Sequence, residues 1–316
     1  MKRTFFLLVL LMCLAGCPLA QADCTASSSS GSFGTLSSFA VNSTAQSVQT
    51  GSGFTCSGSA LSLLSTNTVT ATLSTSANAA SGVPRLYNAA SGTYIPYTVC
   101  TDTTCSSILT GGGSYTWSST TLLGLLGLFN ASNGTLPLYL KSTPGVNVPA
   151  GTYTDTLTLN WNYHICFVGL LGLCVYTDGT GTSAVQLSMV VQNDCSIDAV
   201  PDVDFGSAAL PSGFSRLTSA LGIRCTLNAA YTVDLSSAQA SSAGWRQMAA
   251  STAAGTSLLQ YRIYQPGGLT WVAGSPLSQT GTGSTQSLSY SAEINPDQRN
   301  QPAGRYSDTV TLTVSY

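Results

Sequence analysis

The stretch Pro149-Ala150-Gly151-Thr152-Tyr153-Thr154-Asp155-Thr156-Leu157-Thr158-Leu159 returns later in the chain as Pro302-Ala303-Gly304-Arg305-Tyr306-Ser307-Asp308-Thr309-Val310-Thr311-Leu312. Other landmarks recur in the same order: a first cysteine (Cys24, Cys195), a Phe-Gly pair (Phe33-Gly34, Phe205-Gly206), a second cysteine (Cys56, Cys225) and a strand-like run (Thr70 to Asn78, Thr232 to Ala240). Landmarks kept in one order imply two copies of one fold, with the boundary near Asn193-Asp194. In Thr309-Val310-Thr311-Leu312-Thr313-Val314-Ser315-Tyr316 polar and apolar residues alternate, the period of a half-buried strand. The chain is therefore all-β, read as two antiparallel sandwiches with frequent turns.

The copies end differently. After the first comes a further strand-like run, Ala184 to Val191, including Val185-Gln186-Leu187-Ser188-Met189-Val190-Val191, which can pair beside the motif strand. The second stops at Tyr316. Counted from the shared proline, Val310, Leu312, Val314 and Tyr316 correspond to Leu157, Leu159, Trp161 and Tyr163. An edge made by Val310, Leu312, Val314 and Tyr316 is open to a strand from another chain, unless an early strand of the same domain closes it. Because Cys24 follows the leader almost at once, the chain is expected to accept a strand but to have no N-terminal extension to donate.

The start of the chain has the three parts of a secretory leader: Met1-Lys2-Arg3, the apolar run Phe5 to Leu14, and the small-residue site Ala20-Gln21-Ala22. This gives residues 1–22 as signal peptide, 23–193 as first domain and 194–316 as second. A rival reading takes Leu14-Ala15-Gly16-Cys17 as a lipoprotein box with a lipid on Cys17. Cleavage after Ala22 leaves eight cysteines, an even number in an exported protein, which favours disulfides over a metal site. Spacing suggests Cys24 with Cys56, Cys195 with Cys225, Cys100 with Cys105, and Cys166 with Cys174, although connectivity does not follow from spacing alone.

Only 7% of residues are charged, and Cys24 to Val191 carries just Arg85, Lys141, Asp102, Asp155 and Asp178, so nucleic acid is an implausible partner. No stretch after the leader approaches the ~20 apolar residues of a membrane helix. The single histidine, His164, lies beside an apolar run, and the only glutamate is Glu293. No Ser-His-Asp set, paired carboxylates or metal-ligand cluster assembles from this inventory, so neither catalysis nor a cofactor is expected.

Where the first copy is longer than the second, it carries apolar insertions. One surrounds Leu61, Leu63 and Leu64; another runs through Leu122, Leu123, Leu125, Leu126, Leu128 and Phe129; the third, between Cys166 and Cys174, contains Phe167, Val168, Leu170, Leu171 and Leu173. Leucine interspersed with glycine is a poor strand formula, since glycine weakens strands and β-branched residues are missing. These runs are read as exposed loop tips, a solubility cost that implies a binding role. Each buried Leu or Phe is worth about 1.5 to 3 kcal/mol, so a few such tips seated on an apolar surface would hold without a stereospecific ligand. Trp117 and Trp161 could instead serve a carbohydrate-binding module, but Trp161 falls on the inward strand face.

The cysteine pair with Phe-Gly, the strand Leu259-Gln260-Tyr261-Arg262-Ile263-Tyr264 with Trp271 downstream, and the closing Gln301-Pro302-Ala303-Gly304-Arg305-Tyr306-Ser307-Asp308-Thr309-Val310 resemble the spore coat protein U domain across Asp194 to Tyr316. That family includes pilins of the archaic chaperone-usher pathway. The resemblance implies immunoglobulin-like sandwiches, the C-terminal one incomplete and completed by a periplasmic chaperone and then by the strand of an adjacent pilin subunit, with assembly through an outer-membrane usher. The two-domain layout resembles the tip adhesin of such pili, which implies export through the periplasm to the pilus tip, attachment to hydrophobic or abiotic surfaces through finger loops, and biofilm formation. A spore-coat or pilus-shaft subunit and a carbohydrate-binding adhesin are the competing functions.

Overall fold

The computed structural model describes residues 23–57, 67–118, 135–170, 173–239, 242, 244–253 and 255–316. The first group of strands is β1 (Asp23–Ala26), β2 (Ser29–Ser37), β3 (Ser47–Gly51), β4 (Phe54–Ser57), β5 (Thr68–Ser76), β6 (Arg85–Asn88), β7 (Thr93–Cys100), β8 (Ile108–Leu109), β9 (Ser114–Ser118), β10 (Pro137–Ser142), β11 (Gly151–Leu170) and β12 (Leu173–Gln192). The second group is β13 (Cys195–Ala199), β14 (Leu217–Cys225), β15 (Ala230–Ser237), β16 (Arg246–Thr252), β17 (Gly255–Tyr264), β18 (Leu277–Thr280), β19 (Gln286–Ile294) and β20 (Val310–Ser315). Among the described residues no strand pairing crosses from one group to the other, and each group has its own buried apolar cluster. The protein is almost entirely β; the one α-helix among the described residues, α1 (Ser38–Ser43), is capped by the Ser37 hydroxyl accepting from the Ala40 amide.

The repeated motif has a physical basis visible in both copies. The Tyr153 hydroxyl donates to the Pro149 carbonyl at 2.8 Å, and the Tyr306 hydroxyl donates to the Pro302 carbonyl at 2.7 Å, a tyrosine corner that fixes the turn into the strand. Two residues on, Asp155 accepts from the Tyr97 hydroxyl and Asp308 from the Tyr261 hydroxyl, each at 2.6 Å, tying the motif strand to the facing one. Burial, reinforced by the neighbouring carboxylate, pushes both phenols above their ordinary range. The Phe-Gly pair is a second shared device: Gly34 and Gly206 sit at φ 79° and 73°, and their amides donate to Ser32 Oγ and Asp204 Oδ1. A side chain at either position would be strained.

β11 and β12 form a hairpin of two 20-residue strands, antiparallel from Gly151↔Val191 to Leu170↔Leu173. The inward residues Leu157, Leu159, Trp161, Tyr163 and Ile165 are buried; Trp161 stacks on Phe54 and donates through Nε1 to Ser183 Oγ at 2.8 Å. Gly179 is needed because a Cβ there would lie 2.3 Å from the Tyr163 hydroxyl. The expectation of purely antiparallel pairing is corrected in one place: β2 runs parallel to β12, from Val185↔Ser29 to Gln192↔Ser37. Period-two patterning is the same for both directions, so only the third dimension distinguishes them.

The disulfides join Cys24 to Cys56, Cys100 to Cys105, Cys166 to Cys174 and Cys195 to Cys225, the four pairs favoured by spacing. Cys24 and Cys56 face each other directly across β1 and β4, as Cys195 and Cys225 do across β13 and β14. Where the two groups of strands meet, Thr226 is fully buried: its hydroxyl pairs with Ser38 Oγ at 2.6 Å and accepts from the Asp194 amide at 2.8 Å. Asn147 Nδ2 donates to the Thr282 carbonyl, and the Arg224 guanidinium lies over the Phe39 ring.

Candidate functional site: a finger end and an open sheet edge

The first part of the site is the far end of the long hairpin. Thr68, the first residue of β5, lies opposite both His164 of β11 and Ser118, the last residue of β9. The Asn67 side chain accepts from the Cys166 amide at 2.6 Å. On the other side, the Leu136 amide donates to the Phe54 carbonyl, and the Phe54 ring packs on Trp161 and Tyr163. The residues flanking 58–66 and 119–134 thus gather beside the segment that enters the Cys166–Cys174 disulfide. All three insertions are anchored at one end of the first group of strands.

Leu61, Leu63, Leu64, Leu122, Leu123, Leu125, Leu126, Leu128, Phe129 and Leu171 lie outside the described residues. Phe167, Val168, Leu170 and Leu173 are placed as strand backbone, so the third insertion continues the hairpin beyond the Cys166–Cys174 disulfide despite its glycines. A long register of paired strands overrides local propensity there, with an irregularity between Cys166 and Val168 taking up the extra residue. Sequence reasoning passed over Val175 and Tyr176: Val175 is 70% exposed and Tyr176 is also exposed, beside the disulfide. Their signal was adjacency to Cys174. His164 stacks on Tyr176 with ring centroids 4.0 Å apart, and its Nδ1 lies 2.5 Å from Asp178 Oδ1.

The second part is β20. In the first group the motif strand β11 lies between β5 and β12; in the second, β20 pairs with β15 alone among the described residues. The correspondence holds residue by residue, since Leu159↔Leu73 and Trp161↔Ala71 match Leu312↔Leu235 and Val314↔Val233 with one offset. The consequence of the missing neighbour is exposure. Leu159 is 0% exposed, whereas Val310, Leu312 and Val314 are only half-buried and Tyr316 is 60% exposed.

A feature unread in the sequence strengthens this picture. In the first group β12 has a second partner, β2, which carries Phe33-Gly34. The matching segment around Phe205-Gly206 forms no strand among the described residues, and Leu210 at its end is 49% exposed. Of the two neighbours that an equivalent of β12 would have, β20 thus pairs with β15 alone and the Phe205-Gly206 segment with no strand, among the described residues. The repeated Phe-Gly was the available signal.

Trp117 and Trp161 offer no sugar platform: Trp161 is buried, and Trp117 is half-buried against it with ring centroids 6.2 Å apart.

No curated protein matches the chain significantly. Among solved structures, 94% of the chain aligns with all of a chain from the chaperone–tip adhesion subunit pre-assembly complex of archaic chaperone-usher Csu pili of Acinetobacter baumannii, at 25% identity and a TM-score of 0.60. Weaker similarity is found to the CupB6 tip adhesin of Pseudomonas aeruginosa (12% identity, 86% of this chain and 85% of that one, TM-score 0.34) and to CfaE, the adhesive subunit of CFA/I fimbria of enterotoxigenic Escherichia coli (10%, 92% and 92%, 0.36). The Spore Coat Protein U domain profile matches residues 10–160 and 181–313. With both copies of the repeat inside those limits, the chain belongs to the Spore Coat Protein U domain family.

Proposed function

We propose that the protein is a non-catalytic pilus-tip adhesin. Its first domain, residues 23–193, attaches to hydrophobic or abiotic surfaces through the apolar insertions, and its second, residues 194–316, is held in the pilus by accepting a donor strand. The observation that carries the reading is the polarity of the molecule. The anchors of all three insertions gather at the end of the hairpin marked by Leu170 and Leu173, while β12 runs to the opposite end, from which the chain passes into the second group of strands, where β20 pairs with β15 alone among the described residues. Similarity to a subunit crystallised with its chaperone supports the same arrangement, with a periplasmic chaperone covering β20 first and an adjacent subunit's strand replacing it after passage through the usher.

The test is attachment to polystyrene by cells carrying Leu125→Thr, Leu126→Thr, Leu170→Thr and Leu171→Thr together, with surface pili quantified in parallel. Normal pili with attachment reduced at least tenfold is the expected outcome. Normal pili with normal attachment would remove the fingers from the proposal, and lost pili would mean that these leucines serve the core.

A further inference from the structure

Four neighbouring strands of the first domain present their outward residues in line. Thr182, Asn160, Thr72 and Ser114 form one row across β12, β11, β5 and β9. Thr180, Asn162, Thr70 and Thr116 form the next. Strand geometry sets neighbours in a row about 4.8 Å apart and successive rows about 6.8 Å apart. All eight groups are neutral hydroxyls or amides.

Part of this grid is held by its own hydrogen bonds. Thr70 pairs with Thr116 at 2.8 Å, Thr72 with Ser114 at 2.7 Å, and Thr182 donates to Asn160 Oδ1 at 3.2 Å. The Asn162 and Thr180 side chains, both exposed, have no hydrogen-bond partner among the described residues. They border an open hollow of about 450 Å³ lined by Thr72, Asn160, Asn162, Thr180 and Thr182, with Trp161 and Gly181 between them.

We propose that this face binds a neutral, extended polysaccharide. The occupant follows from what the rows contain and from what they leave out. Neither row carries a charge, the nearest on this face being the His164–Asp178 pair one row towards the hairpin end, so the rows themselves offer a polyanion or polycation no electrostatic gain. With no outward aromatic, Met or Leu, they lack the anchors of a protein interface. What remains is a periodic set of groups that both donate and accept, which matches a polymer presenting hydroxyls at regular intervals. Each contact is weak, and affinity arises by repetition along one polymer and across many molecules on a cell. This surface lies on the flank of the hairpin, not at its end, so it stands whether or not the fingers bind plastic.

The experiment is co-sedimentation of the full chain with microcrystalline cellulose, chitin and alginate, alongside attachment to polystyrene. The wild type is expected to be retained on cellulose or chitin and not on anionic alginate. Asn160→Ala with Asn162→Ala should lower that retention at least fivefold, and Thr180→Val, which keeps the β-branched shape, at least twofold. Gln49→Ala, an exposed residue of β3, should change nothing. Polystyrene attachment should be the same for all four proteins. Absence of wild-type retention on both neutral polymers, equal retention on alginate, or undiminished retention of the folded Asn160/Asn162 and Thr180 variants would each overturn the proposal.

Discussion

If the second domain lacks the counterpart of β12, supplying that counterpart should stabilise it. The perturbation is an extension of the chain after Tyr316 by a flexible linker and a copy of Ala184 to Gln192. In its own place β12 buries Val185, Leu187, Met189 and Val191 almost completely. Four such side chains contribute about 6 to 12 kcal/mol of burial, and the new backbone pairs add about 1 kcal/mol each. Ordering the added strand costs about 1 to 2 kcal/mol per residue. These contributions leave about 4 kcal/mol, because tethering removes most of the association cost. For a domain of this size that is a rise in midpoint on the order of 10 to 20 °C. Calorimetry reads the shift, and amide exchange along β20 locates it. The decisive control is the same extension displaced by one residue, so that Gln186, Ser188 and Val190 face inward; it should give no shift. An unchanged midpoint for the in-register extension, or an equal rise for the displaced one, would refute the reasoning.

Two further outcomes are expected. The phenols of Tyr97 and Tyr261 are held above their ordinary range, chiefly by burial, while an unfolded phenol ionises near ~10. Stability is therefore fully present below pH ~10 and is lost as pH rises past it. Tyr97→Phe should lower stability at pH 7 by about 1 to 3 kcal/mol, since Asp155 loses a donor, and should flatten the decline above pH ~10. Urea unfolding from pH 7 to 11 with an unchanged slope would count against it. Separately, Cys166→Ser with Cys174→Ser opens a loop of sequence separation 8, which should cost about 2.5 kcal/mol. Faster amide exchange should be confined to the outer part of β11 and β12; faster exchange in β14 to β20 would show that the disulfide acts on more than the hairpin.

The repeat was legible because it is physically constrained at the sequence level. A tyrosine corner needs Pro, Gly and Tyr at set spacing, and a left-handed turn needs glycine, so Tyr153 and Tyr306, or Gly34 and Gly206, could not drift without cost. The inward placement of Trp161 and the missing second neighbour of β20 among the described residues followed from aligning the copies. Less was legible where local preference lost to tertiary pairing. The Gly-Leu segment up to Leu170 runs as strand because Leu173 onward stays in register with it. The parallel direction of β2 leaves no trace in an alternating pattern, and α1, at six residues, is too short for a helical period to show. The rows of Thr and Asn were visible as composition alone; their alignment required the registers of three strand pairs.

β12 begins at Leu173, beside the disulfide, and ends at Gln192, and β13 begins three residues later at Cys195. One uninterrupted strand thus carries any pull between the hairpin end and the second domain. Such a load runs along the strand axis, parallel to β11 on one side and β2 on the other, so it slides neighbours past each other and strains their hydrogen bonds together instead of peeling them one after another. At the junction the same load meets the buried Thr226 pair with Ser38 and Asp194, with no slack linker to stretch first. The molecule is arranged as a tension member, strongest along the axis of β12.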